Sequence, residues 1–93
     1  MQKHICFIEV AKSHLDTLLR NNTEKDLDLT YPLETLSSGA WKIEHNIQTK
    51  HYPIYATRLT MDLLKGSEVV ATYIVYLNEN KIFIDEFFIT QHF

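Results

Sequence analysis

Apolar residues recur at the helical period near the start of the chain. Ile5, Phe7, Ile8, Ala11, Leu15, Leu18 and Leu19 form one broad stripe, with Glu9, Ser13, Asp16, Thr17, Arg20 and Asn21 opposite. The stripe predicts a single helix over residues 3–21, with Cys6 and Val10 lying off it. A rival reading is a strand over 4–10 and then a helix capped by Ser13, with Asp16 at its third position. Asn21-Asn22-Thr23 stops the helix, and residues 22–40 read as a connector. Leu27 and Leu29 alternate with Asp26, Asp28 and Thr30, so a short strand or turn fits there. Tyr31-Pro32 argues against helix, and Ser37-Ser38-Gly39 is a turn signal.

From Ala40 onward the period changes to two. Trp41, Ile43, His45 and Ile47 alternate with Lys42, Glu44, Asn46 and Gln48, which predicts a half-buried strand. Thr49 to Pro53 is a break, and Ile54 to Leu64 is a second strand long enough to expect a bulge or bend in it. Glu68 to Leu77 and Ile82 to Thr90 are the third and fourth strands, joined by hairpin loops at 65–67 and 78–81. The predicted class is α+β: an N-terminal helix packed on a four-stranded antiparallel β-meander. One domain spans 1–93, divided into helix 1–21, connector 22–40 and sheet 41–93.

Loop lengths predict a register. A three-residue loop at 65–67 pairs Leu64 with Glu68, Leu63 with Val69, Met61 with Ala71, Leu59 with Tyr73 and Thr57 with Val75. A four-residue loop at 78–81 pairs Leu77 with Ile82, Val75 with Ile84, Tyr73 with Glu86 and Ala71 with Phe88. The expected core is then Leu15, Leu18 and Leu19 against Leu59, Met61, Leu63, Val69, Ala71, Val75, Ile82, Ile84 and Phe88.

The opposite face is not cleanly polar. It carries Val70, Ile74, Tyr76, Phe83, Phe87 and Ile89. A small sheet with two apolar faces and only one convincing helix has a face without cover. These six residues are therefore the candidate partner-binding site, to be covered by a second copy or a different protein. The alternative is that Leu27, Leu29, Tyr31, Leu33 and Leu36 of the connector fold back over them.

Composition narrows the function classes. The 93 residues include 45% hydrophobic and 23% charged residues, which is ordinary for a folded globule. The net charge of −3 has the wrong sign for a general nucleic-acid binder, and neither half of the chain is a basic arm or acidic tail. With one cysteine no internal disulfide forms, no stretch reads as a membrane span, and Glu9 interrupts the short apolar start. A cytoplasmic location is the expectation.

Chemistry is sparse. None of His4, His14, His45, His51 and His92 stands at a metal-ligand spacing from Cys6 or another histidine, so no metal or organic cofactor is expected. There is no phosphate-binding glycine loop and no nucleophile elbow. Three groups remain as candidates. His45 lies on the inward side of its strand as a base or, more plainly, a hydrogen-bonded histidine. Glu86 lies on the apolar face beside Tyr73, as a general acid or as a carboxylate held by the tyrosine hydroxyl. Cys6 lies near the helix start, as a nucleophile or a packed thiol. Arg58 and Asp85 share the other face, with Ile74 expected between them, as a surface ion pair. Glu24, Asp26 and Asp28 form a small acidic cluster suited to a solvated connector or a basic partner.

The helix, the Trp41-bearing strand and the terminal meander resemble RelE-like ribonuclease toxins in size and order, which would imply RNA cleavage. Their RNA-holding basic cluster has no counterpart in Lys81-Ile82-Phe83-Ile84-Asp85-Glu86-Phe87-Phe88. A long helix on a four-stranded meander is also similar to cystatin-like folds, which host many functions. Neither likeness rests on a specific motif. The leading expectation is a non-enzymatic protein-binding module: an inhibitor, an immunity or antitoxin-like protein, or an assembly subunit. A small nuclease or hydrolase, and a binder of a small apolar ligand between helix and sheet, are the alternatives.

Overall fold

In the computed structural model, residues 6–48 and 55–91 are described. One helix, α1 (Phe7–Asn21), is followed by a 3₁₀ turn at Leu33–Thr35 and five strands. The strands are β1 (Ser37–Ser38), β2 (Lys42–Gln48), β3 (Tyr55–Lys65), β4 (Glu68–Leu77) and β5 (Phe83–Thr90). The expected break at 49–53 and the strand start at Ile54 lie outside the described residues, as do residues 3–5 of the predicted helix.

Helix runs through residues 7–10, so the strand-then-helix reading is corrected there. Ser13 is not a cap but an interior residue whose carbonyl accepts a hydrogen bond from the Thr17 hydroxyl at 3.0 Å. The apolar stripe wins because it buries Ala11 completely and Leu15 nearly so. Having only a methyl group, Ala11 lets the helix lie close on the sheet. Phe7, Ile8, Val10, Leu18 and Leu19 pack around the same core. The chain then turns through Thr23 and Asp26, each of whose side chains accepts the other's backbone N–H, at 3.0 and 3.2 Å. That bonding holds the Asp26 carboxyl below its ordinary 3.8. The acidic cluster is therefore partly a folded turn, with Glu24 accepting the Leu33 N–H at 3.3 Å.

The α+β class and the antiparallel meander β2-β3-β4-β5 stand as expected, with one addition. Ser37 and Ser38, expected in a turn, pair with Leu64 and Leu63 as a fifth strand. β1 and β2 flank the same side of β3, like one edge strand interrupted at Gly39–Trp41. Gly39 donates to the Asp62 carbonyl at 2.8 Å, and a Cβ there would stand 3.3 Å from the same oxygen, so the backbone approach favours glycine. Among the described residues no helix is long and apolar enough to cross a membrane.

The expected faces hold through the unbroken parts of the strands, but the register does not. Leu63 pairs with Ala71, Met61 with Tyr73, Leu59 with Val75 and Thr57 with Leu77, two residues away from the expected partners. Val75 pairs with Glu86, Tyr73 with Phe88 and Ala71 with Thr90, again displaced by two. The first hairpin closes at Lys65 and Glu68 around a two-residue turn with Gly66 at φ 65°, and Val70 is then an extra residue in β4. In the second hairpin Ile84 is the extra residue of β5. Long β3, where a bulge or bend was expected, carries no extra residue itself; the extra residues lie on its partner β4, on β5, and at His45–Asn46 of β2.

The core follows from these faces. Ala11 and Leu15 meet Leu59, Met61, Leu63, Ala71, Tyr73, Val75 and Leu77, with Phe88 at the margin. Tyr73 and Leu77, absent from the expected core, are fully buried. Val69, Ile82 and Ile84 are not part of it, and Ile82 is 59% exposed just before β5.

Candidate protein-binding face

The sheet face away from α1 is organised in rows running across the strands. One row is Glu44, Arg58, Tyr76 and Asp85, each directly opposite the next. The neighbouring row is Lys42, Thr60, Ile74 and Phe87. A third is Asp62, Thr72 and Ile89, in which the Thr72 hydroxyl donates to Asp62 Oδ1 at 2.8 Å. The face is therefore divided: the β2–β3 half is polar, and the β4–β5 half is mostly apolar, with Thr72 and Asp85 as its polar members.

The polar half is anchored by Arg58. Its Nε and a terminal nitrogen donate to the two Glu44 carboxylate oxygens at 3.0 and 2.7 Å, a bidentate pair about one-third exposed on each side. This bonding draws the Glu44 carboxyl below its ordinary 4.5 and holds the Arg58 guanidinium further above its usual range, with the Tyr76 hydroxyl adding to the latter. Arg58 and Asp85 do share a row, but Tyr76, not Ile74, stands between them, and the ion pair is with Glu44. Asp85 instead accepts the Glu86 backbone N–H at 2.8 Å.

Of the six residues expected on the partner-binding face, four lie there. Ile74 and Tyr76 are half-buried, while Phe87 and Ile89 are 48% and 50% exposed. The Tyr76 and Phe87 rings meet edge to face, centroids 6.1 Å apart. Val70 does not join them: as the extra residue in β4 it is only 5% exposed. Phe83 does not either. It sits opposite Leu77 on the helix side, its ring centroid 4.8 Å from that of His14. The Ile84 bulge separates Phe83 from the alternation that holds Asp85, Phe87 and Ile89 on the outer face. No feature of the local sequence marks that switch. Of the connector residues that could cover the patch, Leu29 and Leu36 pack into the helix-side core instead, and Tyr31 lies under the Lys65 ammonium.

On the helix side, the Tyr73 hydroxyl donates to Glu86 Oε1 at 2.6 Å. Burial first, and then this bond, push the Tyr73 hydroxyl far above the usual phenol range. Glu86 is thus the tyrosine-held carboxylate of the two readings. His45 is exposed, with Nδ1 3.0 Å from the Thr57 hydroxyl and its ring edge-on to Phe7. Cys6 is exposed at the helix start. His4, His51 and His92 lie outside the described residues. Among the described residues no group of three or more histidine, cysteine or acidic side chains is placed to hold a metal ion. A cleft of about 420 Å³ opens where the edge strand breaks, lined by Lys12, Leu15, Asp16, Ser38, Gly39, Trp41 and Met61. Neither His45 nor Glu86 lines it. Compared with known proteins, the chain matches no family model, no curated protein and no solved structure, so its functional reading rests on these residues alone.

Proposed function

We propose that the protein is a small non-enzymatic binding module, of inhibitor, immunity, antitoxin-like or assembly-subunit type, that associates with another protein chain through the β4–β5 half of its outer sheet face. The observation that carries this reading is the contiguous apolar patch of half-buried Ile74 and Tyr76 with exposed Phe87 and Ile89. An apolar and aromatic centre flanked by an ordered polar row of Glu44, Arg58 and Asp85 has the anatomy of a contact surface. Of the three candidate catalytic groups, His45 is bonded to Thr57 and Glu86 to Tyr73, on separate strands, and Cys6 lies apart from both at the helix start.

Replacing Phe87 by Lys tests the reading. Phe87 is half-exposed, so the variant is expected to keep its circular dichroism and its thermal midpoint. It is expected to lose association, read by sedimentation of the pure protein and by retention of a stoichiometric partner from the native host. A variant that associates as the parent does, or a parent that associates with nothing, removes the basis of the proposal. The cleft beside Trp41 supports a second reading, a binder of a small apolar ligand, for which a small molecule copurifying with the parent and lost on Trp41→Ala is the signature.

A further inference from the structure

Among the described residues β5 is the last strand of the sheet and pairs only with β4. Which of its backbone groups face its other edge follows from two bonds. Gln91 donates to the Val70 carbonyl at 2.9 Å, so the odd-numbered residues after the bulge turn their N–H and C=O toward β4. The even-numbered residues then face outward. The Glu86 N–H agrees, since its acceptor is the neighbouring Asp85 carboxylate rather than β4. Phe88 accordingly presents its N–H and C=O at the middle of the edge. Natural edges are blunted by Lys, Pro, bulges or charge. β5 has a bulge and two carboxylates at its start, and then Phe87-Phe88-Ile89-Thr90 with neither charge nor proline.

We infer that the chain presented to this edge is a second copy of the protein, joined β5 to β5 about a two-fold axis at Phe88, so that the two sheets become one. The inference rests on the proposed association for its partner, and it places the contact at the β5 edge, where it engages Phe87 and Ile89 and leaves Ile74 and Tyr76 uncovered. Three features of the strand are self-complementary in this arrangement. Phe88 stands three residues from Asp85, the first residue past the Ile84 bulge, and three from Gln91, which still bonds β4, so pairing there engages all of these described residues. Directly opposite residues must lie on the same face, so Phe87 of each copy meets Ile89 of the other, an aromatic against a β-branched side chain. The same register sets Asp85 opposite Gln91 and Glu86 opposite Thr90, so no carboxylate faces a carboxylate. Shifting the axis to Glu86 or Asp85 would place like charges directly opposite, which is destabilising. The exposed halves of Phe87 and Ile89 thus gain partners, and the apolar half of the outer face is doubled across the junction.

Cross-linking reads both the surface and its register. In this arrangement positions 87 and 89 of opposite copies form a pair without backbone hydrogen bonds, with Cα atoms about 4.5 Å apart. That distance is within disulfide reach. Positions 87 and 87, or 89 and 89, are offset along the strands by two residues and stand beyond about 7 Å, out of reach. Phe87→Cys and Ile89→Cys are made separately in a Cys6→Ser background. Under mild oxidation each alone is expected to stay uncross-linked, and the equimolar mixture to give a covalent dimer. The unmodified parent is expected to sediment as a dimer. A monomeric parent overturns the inference, as does a dimer in which either single variant cross-links to itself or the mixture does not cross-link. If the parent is monomeric yet Phe87→Lys releases a different protein partner, the second copy is excluded and the binding-module reading stands. If neither association exists, both fall.

Discussion

The Tyr73–Glu86 hydrogen bond allows the structural reading of Glu86 to be tested by a predicted order of effects. Tyr73 is completely buried, while Glu86 is only half-buried. Tyr73→Phe keeps the ring and removes one bond to an acidic acceptor, which is worth about 1.5–3 kcal/mol in general. Water reaches the half-buried Glu86 and replaces part of that loss, so the cost should fall near the lower end, about 1.5 kcal/mol. Glu86→Leu is different: it leaves the phenol hydroxyl buried with no acceptor, at the full desolvation cost of about 1–3 kcal/mol plus the lost bond. Glu86→Gln retains an acceptor and loses only the charge assistance, so it should cost least, about 0.5–1 kcal/mol. The expected order of destabilisation is Glu86→Leu, then Tyr73→Phe, then Glu86→Gln. The double variant Tyr73→Phe with Glu86→Leu should be more stable than the sum of the two predicts, because no hydroxyl is then left stranded. Urea unfolding followed by circular dichroism measures all four variants, and each kcal/mol corresponds to about 4–8 °C in Tm for a domain of this size. If Glu86→Leu costs less than Tyr73→Phe, the hydroxyl is reached by water and the buried-pair argument is refuted.

Two further perturbations check the core and the polar row. Leu59→Ala should cost about 2–4 kcal/mol and Val75→Ala somewhat less, since both side chains are fully buried against α1; an unchanged Tm would show that neither faces the helix. The Glu44–Arg58 pair makes a signed pH prediction: the folded Glu44 carboxyl titrates below its ordinary 4.5, so the pair's contribution is complete above about pH 4.5 and is lost as pH falls through the folded value. The stability gap between the parent and Glu44→Gln should therefore narrow on acidification, and a gap that widens would contradict the pairing.

The sequence by itself determined which residues share a face. Alternation in Leu59-Met61-Leu63 and Ala71-Tyr73-Val75 decides what points toward the helix, and the stripe from Phe7 to Leu19 decides what the helix buries. It did not determine which residues stand opposite one another. A slip of two preserves every face, so hydrophobic pattern cannot choose between the expected register and the observed one. Hydrogen bonding in the loops chooses. Gly66 closes the first hairpin in two residues. Around the second, Asn78 Oδ1 accepts from Asn80 and Ile82, the Asn78 N–H donates to the Ile82 carbonyl, and Lys81 takes φ 65°. The extra residues Val70 and Ile84 then take up the remaining offset. Those two bulges are also what separated the candidate face from its sequence expectation, burying Val70 and keeping Phe83 beside His14. Ile74, Tyr76, Phe87 and Ile89 were legible because they lie in unbroken alternation, whereas Val70 and Phe83 lie at or before a bulge. A bulge adds one residue and so changes parity, and its position depends on long-range pairing that no local run of residues encodes.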